Sequence, residues 1–410
     1  MKGGICMAIF FRSFRNKKYV KKIRVLIVIC VLLLLAGGFK TQIQAKDTLK
    51  MYAKSYALTD GKTNRVLVGK NETVPMANAS TTKILTCIIT LENCGLDEMV
   101  EISANAAKQP KVRLGMKEGE EYPLKDLLYG LMLESYNDCA VAIAEHVAGS
   151  EGEFSNLLNK KAKDIGCKDT YFLTPNGLDK EDEYGFHHTT AEDLCKMMAY
   201  CVWESPKKDV FLEITQMRQY KSFTNRNAFL DQMDGVLSGK TGYTAKAGYC
   251  YVAAYEEQGK RYCVSLLACG WPNHKTYKWA DTRTLFTYGK EHYDVKTIKL
   301  DDIQKEVEIT GYIVPPKFEL LNQKDSVKIY GKGQNYEVLL GAEEHIEGEL
   351  ALYDNIQLPI YKNEVLGVCR LYIKDVLLDE IELVAMESAD AWKLEKILEV
   401  ILCQFLTFSY

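Results

Sequence analysis

A serine and a lysine one helical turn apart carry the first chemical pattern in this sequence. Ser80 and Lys83 stand in the stretch ANASTTKILT, at the start of an apolar run. Residues i and i+3 of a helix share one face, so the lysine amine can reach the serine hydroxyl. A serine becomes a good nucleophile when a base removes its proton, and burial or a second cation lowers the pKa of a lysine enough for that task. The pair therefore predicts an acylatable serine at a helix N-terminus, where backbone N–H groups stabilise negative charge.

The Ser-x-x-Lys pattern is too short to establish this chemistry alone. A second copy, at Ser205 and Lys208, contains a proline, has charged neighbours and lacks an apolar helix, which indicates a surface segment. A serine that caps a helix beside a lysine reaching for solvent is an equally good interpretation of the first copy. Further groups are needed to decide between the two.

A Ser-x-Asn pattern supplies a second hydroxyl and an amide. Ser135 and Asn137 flank a tyrosine in a predicted break between two helices. Side chains two residues apart in such a turn can project into one cleft, where the hydroxyl relays a proton and the amide holds a carbonyl group. The alternative is a helix cap, and a similar pattern at 103–105 shows that Ser-x-Asn also recurs by chance.

A Lys-Thr-Gly pattern supplies a cation on a predicted edge strand. Lys240 and Thr241 can hold a carboxylate, and Gly242 leaves room for the backbone of a peptide-like ligand. The alternative is a surface lysine followed by a turn. Together with the order and spacing of the two earlier patterns, this third one makes a chance assembly improbable.

Hydrophobic patterning predicts the elements that must position these groups. Between about 52 and 288 a hairpin, helices on both sides of Tyr136, three strands and a closing helix predict an α+β domain. From about 294 to 386 short alternating stretches predict a small all-β domain, and the last stretch predicts an amphipathic helix. The predicted boundaries are 1–45, 46–292, 293–386 and 387–410.

The N-terminus has the pattern of an export signal. A basic segment precedes the uncharged run VLIVICVLLLLA at 25–36, and Ala45 offers a small-residue cleavage position. The apolar run is short for a membrane span, although an uncleaved anchor is the alternative. We therefore expect an exported protein that acts outside the cytoplasm.

Composition excludes other classes of function. A formal net charge of −3 argues against a protein that grips nucleic acid. Cys6 and Cys30 would leave with the signal, and the odd number of remaining cysteines at irregular spacings gives little support to a disulfide framework or a zinc site. Most of these cysteines lie in apolar segments and are interpreted as buried free thiols.

The three patterns occur in the order found in penicillin-binding proteins and class A β-lactamases. The chain resembles the low-molecular-mass penicillin-binding proteins, the D-alanyl-D-alanine carboxypeptidases of peptidoglycan, most clearly in PMANASTTKILT, ESYNDCAVAIAEHVAGS, YFLTPNGLD and GVLSGKTGYTAKAGYC. The resemblance implies a transpeptidase-like domain with an antiparallel sheet and a helical subdomain. It further implies that the C-terminal helix is a tether at the outer face of the cytoplasmic membrane; the alternative is a helix docked on the β domain.

The resemblance also implies roles for the residues of the three patterns. Ser80 would attack the penultimate D-Ala carbonyl of a stem pentapeptide with Lys83 as base, and β-lactam antibiotics would trap the same serine. The other implied roles are proton relay by Ser135 with Lys240, substrate binding by Asn137, Lys240, Thr241 and Gly242, and an oxyanion hole made by the backbone N–H groups of Ser80 and Tyr243. No metal or organic cofactor is implied.

Two departures from the family pattern leave roles open. Tyr136 replaces the glycine that we associate with the best-known members, and it could narrow the cleft or alter the lifetime of the acyl-enzyme. A cation downstream of Lys-Thr-Gly is expected to help bind the terminal carboxylate, but Lys275, Lys278 and Arg283 are equally placed for it.

Three other functions use or mimic the same patterns. A class A β-lactamase would need a deacylating glutamate, for which no segment between Ser135 and Lys240 is suited. A D,D-endopeptidase or transpeptidase shares all three patterns, and a catalytically inactive peptidoglycan-binding module is opposed by their intact residues. His187 and His188 could suggest the histidine of a catalytic triad, but we interpret them as structural residues.

Overall fold

A five-stranded antiparallel sheet organises the first half of the chain in this computed structural model, which describes residues 49–300, 303–311, 323–333, 335–354, 356–390, 398 and 402. The strands up to residue 267 are β1 (Ser55–Asp60), β2 (Val66–Lys70), β3 (Met99–Glu101), β4 (Glu121–Pro123), β5 (Glu181–Asp182), β6 (Gly185–Phe186), β7 (Gln219–Tyr220), β8 (Phe223–Thr224), β9 (Val236–Thr244), β10 (Gly248–Glu257) and β11 (Lys260–Leu267). The large sheet has the order β2–β1–β11–β10–β9, so β9, which carries Lys-Thr-Gly, is an edge strand as predicted.

Eight α-helices accompany these strands. They are α1 (Lys83–Asn93), α2 (Ala104–Ala107), α3 (Leu124–Tyr129), α4 (Asn137–Ala148), α5 (Glu151–Asp164), α6 (Ala191–Ala199), α7 (Lys208–Gln216) and α8 (Tyr277–His292). Short 3₁₀ turns occupy Ala79–Thr82 and Ala228–Asp231, and single turns of π-helix follow α3 and α6 at Gly130–Glu134 and Tyr200–Glu204.

Helices cover both faces of the large sheet. The Tyr262 hydroxyl of β11 donates to the Gly289 carbonyl of α8 over a distance of 2.8 Å, whereas the Ser265 hydroxyl donates to the Ala191 carbonyl at the start of α6. Successive side chains of a strand point to opposite faces, and these two residues are three apart, so α8 and α6 lie on opposite sides. Both surfaces of β11 are therefore buried, and its apolar residues from 262 to 267 are inaccessible to solvent.

The helical layer places the beginnings of α1 and α4 next to each other. Residues 83–91 of α1 are all buried, and the Lys83 amine contacts the Asn137 side chain at the start of α4. α4 ends at Gly149, whose φ of 79° is the left-handed conformation that glycine adopts at little cost. This end of α4 matches the predicted helix cap.

The C-terminal part is built from strands. They are β12 (Tyr293–Ile298), β13 (Gln304–Gly311), β14 (Gln323–Gly331), β15 (Tyr336–Gly341), β16 (Glu347–Leu352), β17 (Val365–Ile373) and β18 (Val376–Ala385). β12 pairs with β15, and the other five form a sheet of order β13–β14–β18–β17–β16 around a core that includes Val327, Leu371 and Leu383. An ion pair of 2.8 Å joins Arg65, after β1, to Glu344 in this part.

Several elements predicted from the sequence are present in the structure. The hairpin near residue 60, the three strands between 236 and 267 and the β-rich C-terminal part are present. The predicted boundary after residue 292 stays a prediction, although α8 ends and β12 begins at that point. The signal at 1–45 lies outside the described residues, as does nearly all of the amphipathic helix at 387–410. Within the described part of the chain no helix is long and apolar enough to cross a membrane.

Two local predictions need correction. The helix expected to start at Ser80 begins instead as a 3₁₀ turn, and regular α-helix starts at Lys83. The second Ser-x-x-Lys copy is not wholly at the surface, because Ser205 is buried and its hydroxyl donates to Glu92 at 2.7 Å. Its partner Lys208 is exposed and bonds to the Trp203 carbonyl, so the two residues do not form a pair.

All ten cysteines among the described residues are free, and eight of them are buried. This agrees with their interpretation as small apolar core residues. Burial raises the pKa of thiols such as Cys87, Cys250 and Cys263, which keeps them protonated and unreactive.

Candidate active site

The structure brings Ser80 and Lys83 into direct contact. The Lys83 Nζ lies 2.7 Å from the Ser80 Oγ, and the lysine side chain is inaccessible to solvent. Nζ also donates to the Asn137 Oδ1 at 3.0 Å and to the Asn176 carbonyl oxygen at 2.8 Å. Burial, followed by the nearby Lys240 ammonium, holds the pKa of Lys83 well below its usual value. The buried lysine can therefore be neutral and accept the serine proton.

The turn that carries Ser80 is held by its own side chains. The Asn78 Nδ2 donates to the hydroxyls of Thr81 and Thr82 at 3.0 and 2.9 Å. Ala79 adopts a φ of 51°, in the left-handed region that a residue with a side chain enters only when its surroundings impose it. Ser80 is thus presented on a strained turn, held by side-chain hydrogen bonds, immediately before the regular helix.

Ser135 lies in the break between the π-helical turn and α4, and Asn137 is the first residue of α4. Ser135 has a φ of 65°, and its hydroxyl accepts a hydrogen bond of 2.9 Å from the Lys240 Nζ. The Asn137 backbone N–H donates to the Val112 carbonyl, and its Nδ2 donates to the Pro110 carbonyl at 3.2 Å. The break predicted from the sequence therefore puts the hydroxyl and the amide at one site with both lysines.

Lys240 is the second buried cation of the site. It lies in β9 with only 2% of its surface exposed, and its Nζ also donates to the Thr241 carbonyl at 2.9 Å. Burial and the Arg226 guanidinium lower the pKa of Lys240 to about 7. A proton on this side chain is therefore easily gained or lost at neutral pH.

Gly242 serves a purpose that the sequence did not indicate. A Cβ atom built there would lie 2.9 Å from the Asn78 carbonyl oxygen and 3.0 Å from the Ser80 amide nitrogen. The space expected for a ligand's backbone is thus taken by the turn that carries the serine. The glycine lets β9 approach Ser80 closely.

Three further residues shape the site without having been singled out from the sequence. The Asn176 carbonyl accepts from Lys83 and also lies 3.3 Å from the Ser80 Oγ. Gly177 brings that carbonyl close, and Arg226 lowers the pKa of Lys240. A backbone carbonyl has no side-chain signature, so the one available signal was the Pro-Asn-Gly turn at 175–177.

Replacing Gly177 by alanine is expected to damage both stability and acylation. Gly177 has a φ of 81°, and a Cβ atom there would overlap the Ala79 carbonyl oxygen. The matched control is Gly166→Ala, since Gly166 has a φ of 87° with no atom near its Cβ position. Both variants carry the left-handed strain of about 1–2 kcal/mol, and the overpacking at Gly177 adds about 1–3 kcal/mol.

Urea unfolding would measure the stability difference between these two glycine variants, and labelled penicillin would measure acylation. In the Gly177→Ala variant the Asn176 carbonyl should be displaced. Its acylation rate should then be at least about tenfold lower than that of the Gly166→Ala control, because small misplacements of reacting groups slow a reaction strongly. Equal acylation rates in the two variants would show that the loop at 176–177 does not position the serine and lysine.

The remaining candidates lie outside this cluster or on its rim. His187 is buried, and its pKa is lowered to about 3, mainly by burial. It bonds to Thr82 through Nε2 and to the Leu173 amide through Nδ1, so it supports the turn beneath Ser80. The Tyr136 ring packs edge-on against Phe223, with ring centroids 5.7 Å apart.

The three cations after Lys-Thr-Gly have different surroundings. Lys278 is buried, with its ammonium 4.8 Å from the Tyr249 ring centroid, and burial lowers its pKa to about 8. Lys275 and Arg283 are exposed, and the Arg283 guanidinium lies 5.6 Å from the Phe229 ring centroid. The expected role in binding the terminal carboxylate stays a prediction for these three cations.

Comparison with known proteins identifies the family of this chain. The family model described as D-alanyl-D-alanine carboxypeptidase, peptidase S11, matches residues 40–268. The chain belongs to the D-alanyl-D-alanine carboxypeptidase family. The predicted family and enzyme class are thereby confirmed, and all three motifs of the site fall inside the matched segment.

Individual carboxypeptidases and penicillin-binding proteins extend the likeness. D-alanyl-D-alanine carboxypeptidase DacF of Bacillus subtilis is 29% identical over 347 residues, covering 82% of this chain and 85% of the relative. The structure of penicillin-binding protein 5 from Haemophilus influenzae covers 83% of this chain and 98% of its own with a TM-score of 0.64; at 22% identity it supports the α+β fold. Penicillin-binding protein D2 from Listeria monocytogenes, in its cefotaxime-bound form, is 25% identical with a TM-score of 0.52 and covers 58% of this chain and 97% of its own.

Proposed function

We propose that this carboxypeptidase removes the terminal D-alanine from peptidoglycan stem pentapeptides through an acyl-enzyme on Ser80. The observation that carries the proposal is the 2.7 Å contact between the Ser80 hydroxyl and an amine of Lys83 that is fully buried and has a lowered pKa. A serine activated in this way attacks an amide carbonyl, and the amide at issue is the D-Ala-D-Ala bond.

The first half-reaction forms an ester and releases an amine. Ser80 Oγ bonds to the carbonyl carbon of the penultimate D-Ala while Lys83 Nζ takes the hydroxyl proton. The backbone N–H groups of Ser80 and Tyr243 stabilise the resulting oxyanion, a contribution worth about 3–4 kcal/mol for each donor. The C–N bond then breaks, and the proton held by Lys83 passes through the Ser135 hydroxyl, which bonds to Lys240, to the leaving D-Ala nitrogen, so that Lys83 is neutral again.

The second half-reaction returns the enzyme to its starting state. A water molecule gives a proton to Lys83 and attacks the ester carbonyl, after which Ser80 leaves and is reprotonated. Substrate is held by the Asn137 amide on the acyl side. Lys240 and Thr241 bind the terminal carboxylate, and Gly242 keeps their strand close to the serine.

The test is an assay of free D-alanine with a diacyl stem pentapeptide ending in D-Ala-D-Ala, run beside labelling with a tagged penicillin. Release together with labelling supports the proposal. Labelling without release from the pentapeptide, but with cleavage of cross-linked dimers, would replace it by an endopeptidase. Rapid hydrolysis of penicillin would indicate a β-lactamase, and the absence of all four signals would leave a binding module. The cefotaxime-bound form of the Listeria relative supports the use of a β-lactam as probe.

The activity is expected to have a bell-shaped dependence on pH. As the general base, Lys83 must be neutral, so kcat/KM rises as pH increases through its lowered pKa. Lys240 must be charged to bind the carboxylate, so kcat/KM falls as pH rises above its pKa of about 7. Because the two lysines interact, the measured values belong to the pair.

The variant Lys240→Arg tests which group causes the falling limb. Arginine keeps its charge at all accessible pH values, so the decrease above neutral pH should disappear, even if the maximal rate is lower. A falling limb that is unchanged in this variant would assign the decrease to another group.

Export and membrane attachment complete the proposal. The sequence supports secretion through residues 1–45 and peripheral attachment through 387–410, because the predicted helix would place the apolar residues at 394, 397, 398, 401, 402 and 405 on one face. A chain ending at Ser388 is expected to move from the membrane fraction to the soluble fraction with its activity intact. The paired substitution of Phe405 and Phe408 by aspartate should have the same effect, and retention of both variants in the membrane fraction would contradict the tether.

A further inference from the structure

Three potential metal ligands of different types meet at the end of α1 and α4 that lies away from the serine. Cys94 follows the last residue of α1, Glu98 lies four residues later, and His146 is in the last turn of α4. The thiol sulfur, one carboxylate oxygen and one imidazole nitrogen all lie within 4.8 Å of one another. The His146 Nε2 is 2.8 Å from the Glu98 Oε2. Among the described residues this is the one group of three or more cysteine, histidine and acidic side chains whose ligand atoms lie so close together.

The backbone holds the three side chains in place. The Cys94 amide donates to the Thr90 carbonyl at 2.9 Å, which continues the helix to the ligand. The carbonyls of Leu96 and Glu98 accept from the amides of Lys125 and Leu124 at 3.0 and 2.8 Å. The loop between Cys94 and Glu98 is therefore fixed on the start of α3, and the ligands need little rearrangement to converge on one ion.

The types of the ligands select the ion. Thiolate and imidazole suit zinc, whereas calcium and magnesium take oxygen ligands. Zinc accepts four ligands in a tetrahedron, and a site with three protein ligands keeps one position for water. We propose that Cys94, Glu98 and His146 bind one zinc ion, with a water molecule as the fourth ligand.

Binding exchanges protons and an ion pair for metal bonds. The Cys94 thiol loses its proton to the solvent and binds as thiolate, the imidazole binds as the neutral ring, and the Glu98 carboxylate turns from His146 to the ion. Two nearby carboxylates stay outside this set: Glu145 accepts from Ser103 and Asn105, and Glu92 pairs with Lys161. Because the thiol loses its proton on binding, zinc uptake should release protons, and the affinity for zinc should fall at acidic pH.

The position of the site indicates a stabilising role. Lys83 and Asn137 begin α1 and α4, and eleven residues separate Lys83 from Cys94, or about 16 Å along a helix. The ion is too far from Ser80 to touch substrate. It instead joins the far ends of the two helices whose near ends carry the catalytic lysine and the substrate-binding amide.

Zinc uptake by the untagged exported chain tests the proposal. The protein is freed of metal with a chelator and then supplied with one to a few equivalents of zinc sulfate. Bound zinc is measured by native mass spectrometry, and the melting temperature is measured with and without the ion. We expect one zinc per chain and an increase of several degrees in melting temperature, since a ligand that binds the folded state alone stabilises it.

Matched variants connect any bound zinc with this site. Cys94→Ser and His146→Gln are expected to weaken zinc binding at least tenfold. Cys167→Ser removes another half-buried free cysteine, and His292→Gln removes another histidine from the last turn of a helix; both should bind zinc like the unchanged chain. Cobalt supplies an independent measurement, because a thiolate-to-cobalt charge-transfer band should appear in the unchanged chain and in Glu98→Gln but not in Cys94→Ser.

The proposal is overturned if the unchanged chain takes up no zinc, or if Cys94→Ser and His146→Gln bind as much as the two controls. It does not depend on the proposed peptidase reaction. D-alanine release before and after removal of the metal distinguishes the two, because the chemistry at Ser80 should continue without zinc at temperatures where the chain stays folded.

Discussion

Replacing Ser80 by alanine is expected to abolish D-alanine release and to remove covalent labelling by penicillin. The Ser80 Oγ is the one atom of the site that forms a bond to substrate in the proposed reaction, and it contacts the base Lys83 at 2.7 Å. We expect the loss in kcat/KM to exceed about 10⁴-fold, because the remaining groups can bind substrate but cannot form the ester. Release of D-alanine and mass spectrometry of the penicillin adduct would measure both effects.

The second Ser-x-x-Lys copy offers a matched control. Ser205→Ala also removes a buried hydroxyl, one that bonds to Glu92 at 2.7 Å, and it should lower stability without affecting labelling. An adduct that persists in Ser80→Ala, or one that is lost in Ser205→Ala while the chain remains folded, would place the nucleophile elsewhere.

Replacing Lys83 by methionine is expected to slow acylation by about 10³-fold, within the range found for loss of a general base. Methionine fills nearly the same volume, so Ser80 keeps its place on the 3₁₀ turn but loses the group that takes its proton. Labelling by penicillin followed over time separates this effect from substrate binding, since acylation alone is measured. The fully buried position of Lys83 makes any solvent replacement for the amine difficult.

Lys208→Met is the control for this lysine, because it changes the exposed lysine of the second copy, whose Nζ bonds to the Trp203 carbonyl. Its acylation rate should equal that of the unchanged chain. If Lys83→Met acylates within a factor of ten of this control, another base must activate Ser80. The lowered pKa of Lys83 would then have no catalytic consequence.

Local sequence patterns were sufficient for the elements that carry the site. The turn at 60–61, the break before Asn137 and the end of α4 at Gly149 depend on residues close in the chain, through turn preference, helix capping and alternation of apolar residues. The strand that carries Lys240 was also predicted from the sequence, as the first of three strands between 236 and 267. The pattern failed at 79–82, where a 3₁₀ turn stands in place of the expected start of the α-helix.

The sequence by itself also determined the kinds of reactive group and their order along the chain, and its resemblance indicated the reaction. Only the tertiary structure decided the pKa values of these groups and the contacts between them. Lys83 has a lowered pKa because it is buried and because Lys240, from a distant strand, lies near it. The Asn176 carbonyl and the close approach at Gly242 have no side-chain pattern that a sequence could display. Burial and the charges of remote residues set a pKa, so the folded arrangement, rather than residue type, makes this lysine a base.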